Sequence, residues 1–202
     1  MAAVSFISAA LSAKVAERIT TKVTVALGIF IAAIGFFYFA QIAAVDVSYA
    51  KFVLAMCIIS LGIGMTMSPA TNSVMGSIPV SQSGIGSAMN NTTRQVGAAL
   101  GVAILGSILN ATYISRIDAV SWPAQLPAQA MEAIRGSIQG AHIVAGQVPV
   151  PQLAQMIIDQ SNEAFTAGSA DALLVATIVL AVTAVIALVI LPSRVRGPKE
   201  GR

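Results

Sequence analysis

Charge is confined to short intervals of this 202-residue chain, and the gaps between them constrain its fold more than any other feature. No Asp, Glu, Lys or Arg occurs in residues 23–45, 52–93, 95–115 or 172–193. A helix needs about 20 mainly apolar residues to cross a hydrocarbon core roughly 30 Å thick. The first and last gaps therefore hold one crossing each. The second gap is 42 residues long, which as a helix would reach about 63 Å. It has to fold back, and the place is Ile78-Pro79-Val80-Ser81-Gln82-Ser83-Gly84, where Pro and Gly punctuate the apolar run. The expected crossings are 24–45, 52–75, 86–113 and 172–192.

Composition agrees with a chain whose solvent is lipid. Charged residues make up 9% and hydrophobic ones 56%, whereas a soluble domain carries about 25% charge. The expectation is an all-α integral membrane protein with four full transmembrane helices, preceded by a truncated helix at residues 2–13. That first stretch is 12 residues, about 18 Å as helix, which is too short to cross. It is read as the second half of a span whose first half is missing, and an interfacial N-terminal helix is the alternative.

Orientation follows from the bias of basic residues. Four crossings put the loop from Lys14 to Lys22 and the tail, 193–202, on one side with a net charge of +5, and the connections 46–51 and 114–171 on the opposite side with −3. The basic side is expected to be cytoplasmic, which makes the C-terminus cytoplasmic and residues 114–171 an outer-face loop in a cell (inner) membrane protein. Pro123, Pro127, Pro149 and Pro151 argue against a fifth crossing in that loop. Short amphipathic helices are expected near 127–145 and 151–167. Their apolar faces are Ala130, Ile134, Ile138 and Ala141 in the first, and Leu153, Ile157 and Ala164 in the second. The loop reads as a structural connector, with a substrate-capturing lid as the other reading.

Much chemistry is excluded by what is missing. The chain has one Cys (Cys57) and one His (His142), too few for a zinc cluster or a catalytic triad, so no metal and no cofactor is expected. No Lys is followed by Ser or Thr, so there is no phosphate-binding loop of the nucleotide-motor type. Gly62-Ile-Gly64 and Gly84-Ile-Gly86 start like a dinucleotide fingerprint but lack its third glycine, and Gly62 and Gly64 read as helix-packing contacts. The four spans hold no Asp or Glu, which excludes an intramembrane carboxyl relay. Basic residues are scattered and aromatics are 5%, so nucleic acid is not a partner. An enzyme is not expected.

One polar segment interrupts the apolar runs. Setting Arg94 at zero and advancing 100° per residue puts Ser87, Asn90, Asn91, Gly97 and Gly101 within about 60° of it. Gly97-Ala-Ala-Leu-Gly101 is also a GxxxG, which permits close helix approach. An Arg near mid-membrane costs about 2.5–3.5 kcal/mol on insertion scales, so it calls for a partner or a wet cavity. Three readings stay open: Arg94 pins two helices, lines a substrate path with Ser87, Asn90 and Asn91, or reaches to the headgroups.

The run from Pro69 to Tyr113, above all Asn-Asn-Thr-Thr-Arg-Gln-Val-Gly-Ala-Ala-Leu-Gly-Val-Ala-Ile-Leu-Gly from Asn90 to Gly106, resembles the last third of the fourteen-helix drug/proton antiporters of the major facilitator superfamily. The resemblance continues at Asn162-Glu-Ala-Phe165 and at Leu191-Pro192. It implies that Asn90 opens the penultimate helix of a transporter. The loop Ala13-Lys-Val-Ala16-Glu17-Arg18-Ile-Thr20-Thr21-Lys22 is similar to that superfamily's Gly-x-Leu-Ala-Asp-Arg-x-Gly-Arg-Lys loop, with Glu17 for Asp and both glycines replaced. Glu17, Arg18 and Lys22 are its charged positions, and topological anchoring is their expected role. The resemblance implies proton-driven export of small amphipathic compounds by alternating access, with the bilayer, protons and the missing N-terminal transporter helices as partners. The chain is then expected to be the C-terminal part of a transporter. A small self-assembling or partner-binding membrane protein without transport activity is the alternative.

Overall fold

The computed structural model describes residues 20–123 and 126–191, all helix, turn and connector. The expected partial span at 2–13, the loop residues Glu17 and Arg18, and the tail 193–202 lie outside the described residues. Six α-helices follow in order: α1 (Thr21–Ile42), α2 (Tyr49–Gly76), α3 (Ser83–Ala119), α4 (Ala128–Gly136), α5 (Ile138–Gln147) and α6 (Pro151–Ile190). Four segments are long and apolar enough to cross a membrane: α1, α2, the stretch Val80–Ala119 and α6.

Small residues let the crossing helices approach. In α1 the buried positions include Gly28, Ala32 and Gly35, which lie at helical spacing on one side. They meet Ile59, Gly62 and Thr66 of α2. A Cβ on Gly28 would lie 2.5 Å from the Thr66 hydroxyl oxygen and 2.9 Å from the Gly62 carbonyl oxygen. A Cβ on Gly62 would run into the Ala32 backbone nitrogen. Backbone-to-backbone packing of this kind is how helices associate where lipid removes the hydrophobic drive. Large side chains such as Phe30, Phe37 and Ile186 point away from the bundle. Near one end, Val25 and Ala26 of α1 bury against Ala187 of α6, with Ile29 and Ala70 alongside.

The fold-back between α2 and α3 occupies Ser77–Gln82, where a 3-10 turn at Val80–Gln82 follows Pro79. Pro69 sits inside α2 and is buried; lacking an N–H, it leaves the Met65 carbonyl without its usual intrahelical partner.

The loop region differs from the sequence expectation in two ways. Residues 151–167 and 172–192 were expected as a surface helix and a separate span, but α6 runs unbroken for 40 residues, about 60 Å. Charge marks where lipid ends, not where a helix ends, and nothing between Pro151 and Pro192 breaks the backbone. By the same logic α3 continues past 113 to Ala119, 37 residues in all. The helix expected at 127–145 is two helices, α4 and α5, split at Ser137, whose backbone is extended and whose Oγ accepts from the Gly140 N–H at 3.0 Å. Ser after Gly136 offers an N-cap that starts a new helix in a new direction.

Together the ends of α3 and α6 and the pair α4–α5 make a cap with its own core. Ile117, Ile134, Ala141 and Ile157 are fully buried there, joined by Tyr113, Val144 and Ala164.

Candidate functional site

Arg94 lies on α3, 11 residues beyond its start and so about 16 Å along it. The helix is continuous through this stretch, so Ser87, Asn90, Arg94, Gly97 and Gly101 share one side of it. Ser87, Asn91 and Arg94 are exposed and Asn90 is half-buried. A Cβ added at Gly97 or Gly101 would meet nothing within 4 Å. Among the described residues, no ion pair and no hydrogen bond reaches the Arg94 guanidinium. This half of α3 is open all round, since residues 91–100 are all exposed; α3 meets α6 farther along the same side, at Leu109 and Thr112, and touches α2 only lightly. A guanidinium with five donors and no acceptor beside it can take a carbonyl, a carboxylate or water.

The glycines divide by environment. Gly62 and Gly64 are buried in α2, and Gly62 lies against the α1 backbone as described above. Gly86, next to the polar face, packs on the Ile78 side chain. Lys22 is in the first turn of α1, half-buried. Cys57 is a half-buried free thiol within α2.

Several contacts were not singled out from the sequence. Gly168 of α6 lets α3 approach at Leu109; the signal was present in Ala164, Gly168, Ala172 and Ala176, small residues at every fourth position, all buried. Thr112 donates to Asp171 at 3.0 Å, tying α3 to α6. In the cap, the Tyr113 hydroxyl donates to the Ile134 carbonyl at 2.7 Å and the Trp122 indole N–H to the Ile117 carbonyl at 2.9 Å. Arg135 pairs with Asp118 at 2.7 Å. His142 is exposed, and its Nε2 lies 3.0 Å from the Asn162 side-chain oxygen.

Among the cavities on the cap side, two differ in character. One of about 600 Å³ lies between the α1–α2 connection, α3 and α6, where Asp46, Arg116, Asp159 and Glu163 face it. The other, about 590 Å³, lies between α4, α5 and the start of α6 and is mainly apolar. Among the described residues no group of three or more His, Cys, Asp or Glu is placed to hold a metal ion.

Comparison with known proteins places this helix set. The chain is 31% identical over 186 residues to the multidrug efflux pump LfrA of Mycolicibacterium smegmatis, which covers 92% of this chain and 36% of that pump. It is 32% identical over 127 residues to the multidrug resistance protein Stp of Mycobacterium tuberculosis, covering 60% of this chain and 24% of that protein. The matched stretch thus spans little more than a third of LfrA and about a quarter of Stp. The family model for the Major Facilitator Superfamily matches residues 1–102, half of the chain. With small-residue contacts between long apolar helices and this match, the chain belongs to the Major Facilitator Superfamily, whose members are membrane transport proteins rather than enzymes.

Proposed function

We propose that this chain works as part of a fourteen-helix drug/proton antiporter, exporting amphipathic compounds by alternating access together with helices that precede it. The observation that carries the reading is the set Arg94, Asn90 and Ser87 on one side of an α3 segment that the rest of this chain leaves uncovered. An Arg at that depth on a lipid-facing surface is costly, whereas facing a wet path or a further helix it is satisfied. Superfamily transporters build such a path between two halves, and the likeness to LfrA over 92% of the chain supports the same use here. In this reading residues 86–113 and 172–192 are the membrane-embedded parts of α3 and α6. The cap lies on the outer face, and the basic Lys14–Lys22 loop and the tail are cytoplasmic, in keeping with the bias of basic residues.

The test is export itself. Inside-out vesicles carrying the native product accumulate a fluorescent lipophilic cation when an inward-acid pH gradient is imposed, and lose it when the gradient is collapsed. Accumulation unaffected by collapse would remove proton coupling. Tagging the C-terminus at the chromosomal locus and sizing the membrane band decides between a transporter part and the second reading. That reading, a small self-assembling membrane protein, draws on the open Gly97-to-Gly101 face, which suits a helix of a second copy equally well.

A further inference from the structure

The geometry points to a binding site for an uncharged amphipathic small molecule in the cap, distinct from the polar face of α3. It stands independently of the transport reading, because it rests on the shape and chemistry of the wedge between α4 and α5.

The wedge has a structural cause. At Ser137 the chain changes direction, and α4 and α5 touch at their near ends, where Gly140 lies against the Ala133 carbonyl oxygen. From that contact the two helices diverge, and their far ends do not close on each other. The space left is the cavity of about 590 Å³. Ala130 and Ala133 line the α4 arm, Val144 the α5 arm, and Val148 and Leu153 the base. Pro127, Pro149 and Pro151 restrict the backbone at the entry of α4 and in the α5–α6 connection, which lowers the ordering cost of binding there. The volume and mainly apolar lining match a drug-sized pocket.

Its electrostatics select the occupant. Among the described residues, none lining this cavity carries a charge, and the polar side chains there are two carboxamides, Gln129 on one arm and Gln147 on the other. Each offers both a donor and an acceptor. An ion entering would shed hydration with no counter-charge. A neutral molecule with an apolar body and one hydrogen-bonding group loses little. The other cavity, faced by Asp46, Asp159 and Glu163, has the opposite character. A lipid tail is the wrong occupant. The pocket lies at the start of α6, 20 residues before Asp171, which precedes the charge-free stretch, and that places it about 30 Å along the helix from the lipid-embedded part.

The chain has one tryptophan, Trp122, and it packs against the same cap core, so it serves as reporter. The experiment titrates the full chain in lipid nanodiscs with N-phenyl-1-naphthylamine, a neutral aromatic amine. Trp122 quenching is read, empty nanodiscs are subtracted, and tetraphenylphosphonium is the cationic comparator. The expected result is saturable quenching by the neutral probe, which tetraphenylphosphonium, added as a competitor, does not reverse. Ala130→Phe, which fills the wedge, weakens the neutral probe at least ten-fold with unchanged helix content. Gln147→Glu, at an exposed side chain that folding does not depend on, weakens it several-fold. Absence of saturable quenching, its reversal by the cation, or binding untouched by Gln147→Glu would overturn the site and leave the wedge as a groove for a macromolecule or a packing gap.

Discussion

Gly168 of α6 and Leu109 of α3 meet so closely that a Cβ on the glycine would lie 2.6 Å from the Leu109 carbonyl oxygen. The neighbour is backbone, which cannot swing aside. This contact is the crossing point of the two longest helices, and it separates the open, polar half of α3 from the half that carries the cap.

Gly168→Leu is therefore expected to push α3 from α6 and destabilise the chain by about 1–3 kcal/mol, the usual cost of overpacking. Gly106→Leu is the control, since nothing lies within 4 Å of a Cβ there. Thermal unfolding in detergent, followed by circular dichroism, should show a lower midpoint for the first variant and little change for the second. Equal midpoints would mean that the crossing is not tight.

Tyr113 is 2% exposed and its hydroxyl holds the Ile134 carbonyl. Tyr113→Phe keeps the ring and removes the donor, leaving a buried acceptor unpaired at a cost of about 1–3 kcal/mol. The loss is local to the cap. Hydrogen exchange of the α4 amides should speed up while the amides of α1 and α2 keep their protection. Uniform acceleration would argue against a cap with a core of its own.

The Arg135–Asp118 pair should behave differently despite its 2.7 Å separation. Both side chains are more than two-fifths exposed, so water and salt screen them, and such pairs contribute about 0–1 kcal/mol. Arg135→Ala is expected to leave the unfolding midpoint nearly unchanged at any ionic strength. A large drop would give the pair a role that its exposure does not suggest.

Within the proposed transporter, Arg94→Ala should lower export to near background at equal membrane abundance, with Arg94→Lys retaining part of it. A point charge keeps the attraction but not the fork of donors. The measurement is efflux of a fluorescent substrate from cells expressing the intact protein, with Arg135→Ala as the comparison. Wild-type export by Arg94→Ala would remove the guanidinium from the mechanism.

How far these features can be read from residues alone depends on what each rule detects. Charge gaps find hydrocarbon, and the four crossing helices follow from the intervals between Lys22, Asp46, Lys51, Arg116, Asp171 and Arg194, with the fold-back at Pro79. They do not find helix ends, which is why the join of α6 across Asp171 was missed: a charged residue continues a helix as readily as an apolar one. The break at Ser137 is a capping event of one residue inside an amphipathic pattern, and periodicity averages over it. The common side of Ser87, Asn90 and Arg94 follows from rotation about one helix. What covers that side depends on tertiary neighbours, as do the meeting of Tyr113 with Ile134 and the wedge between α4 and α5. No local pattern encodes those.

The length of α6 has a mechanical consequence. One unbroken helix carries both the charge-free segment after Asp171 and, about 30 Å farther out, the base of the cap at Leu153. Any change of tilt of the charge-free segment is transmitted without slack: a rotation of about 10° over that lever displaces the far end by about 5 Å. The charge-free part of this helix and the part that carries the cap share one rigid axis, so the cap turns whenever that segment does.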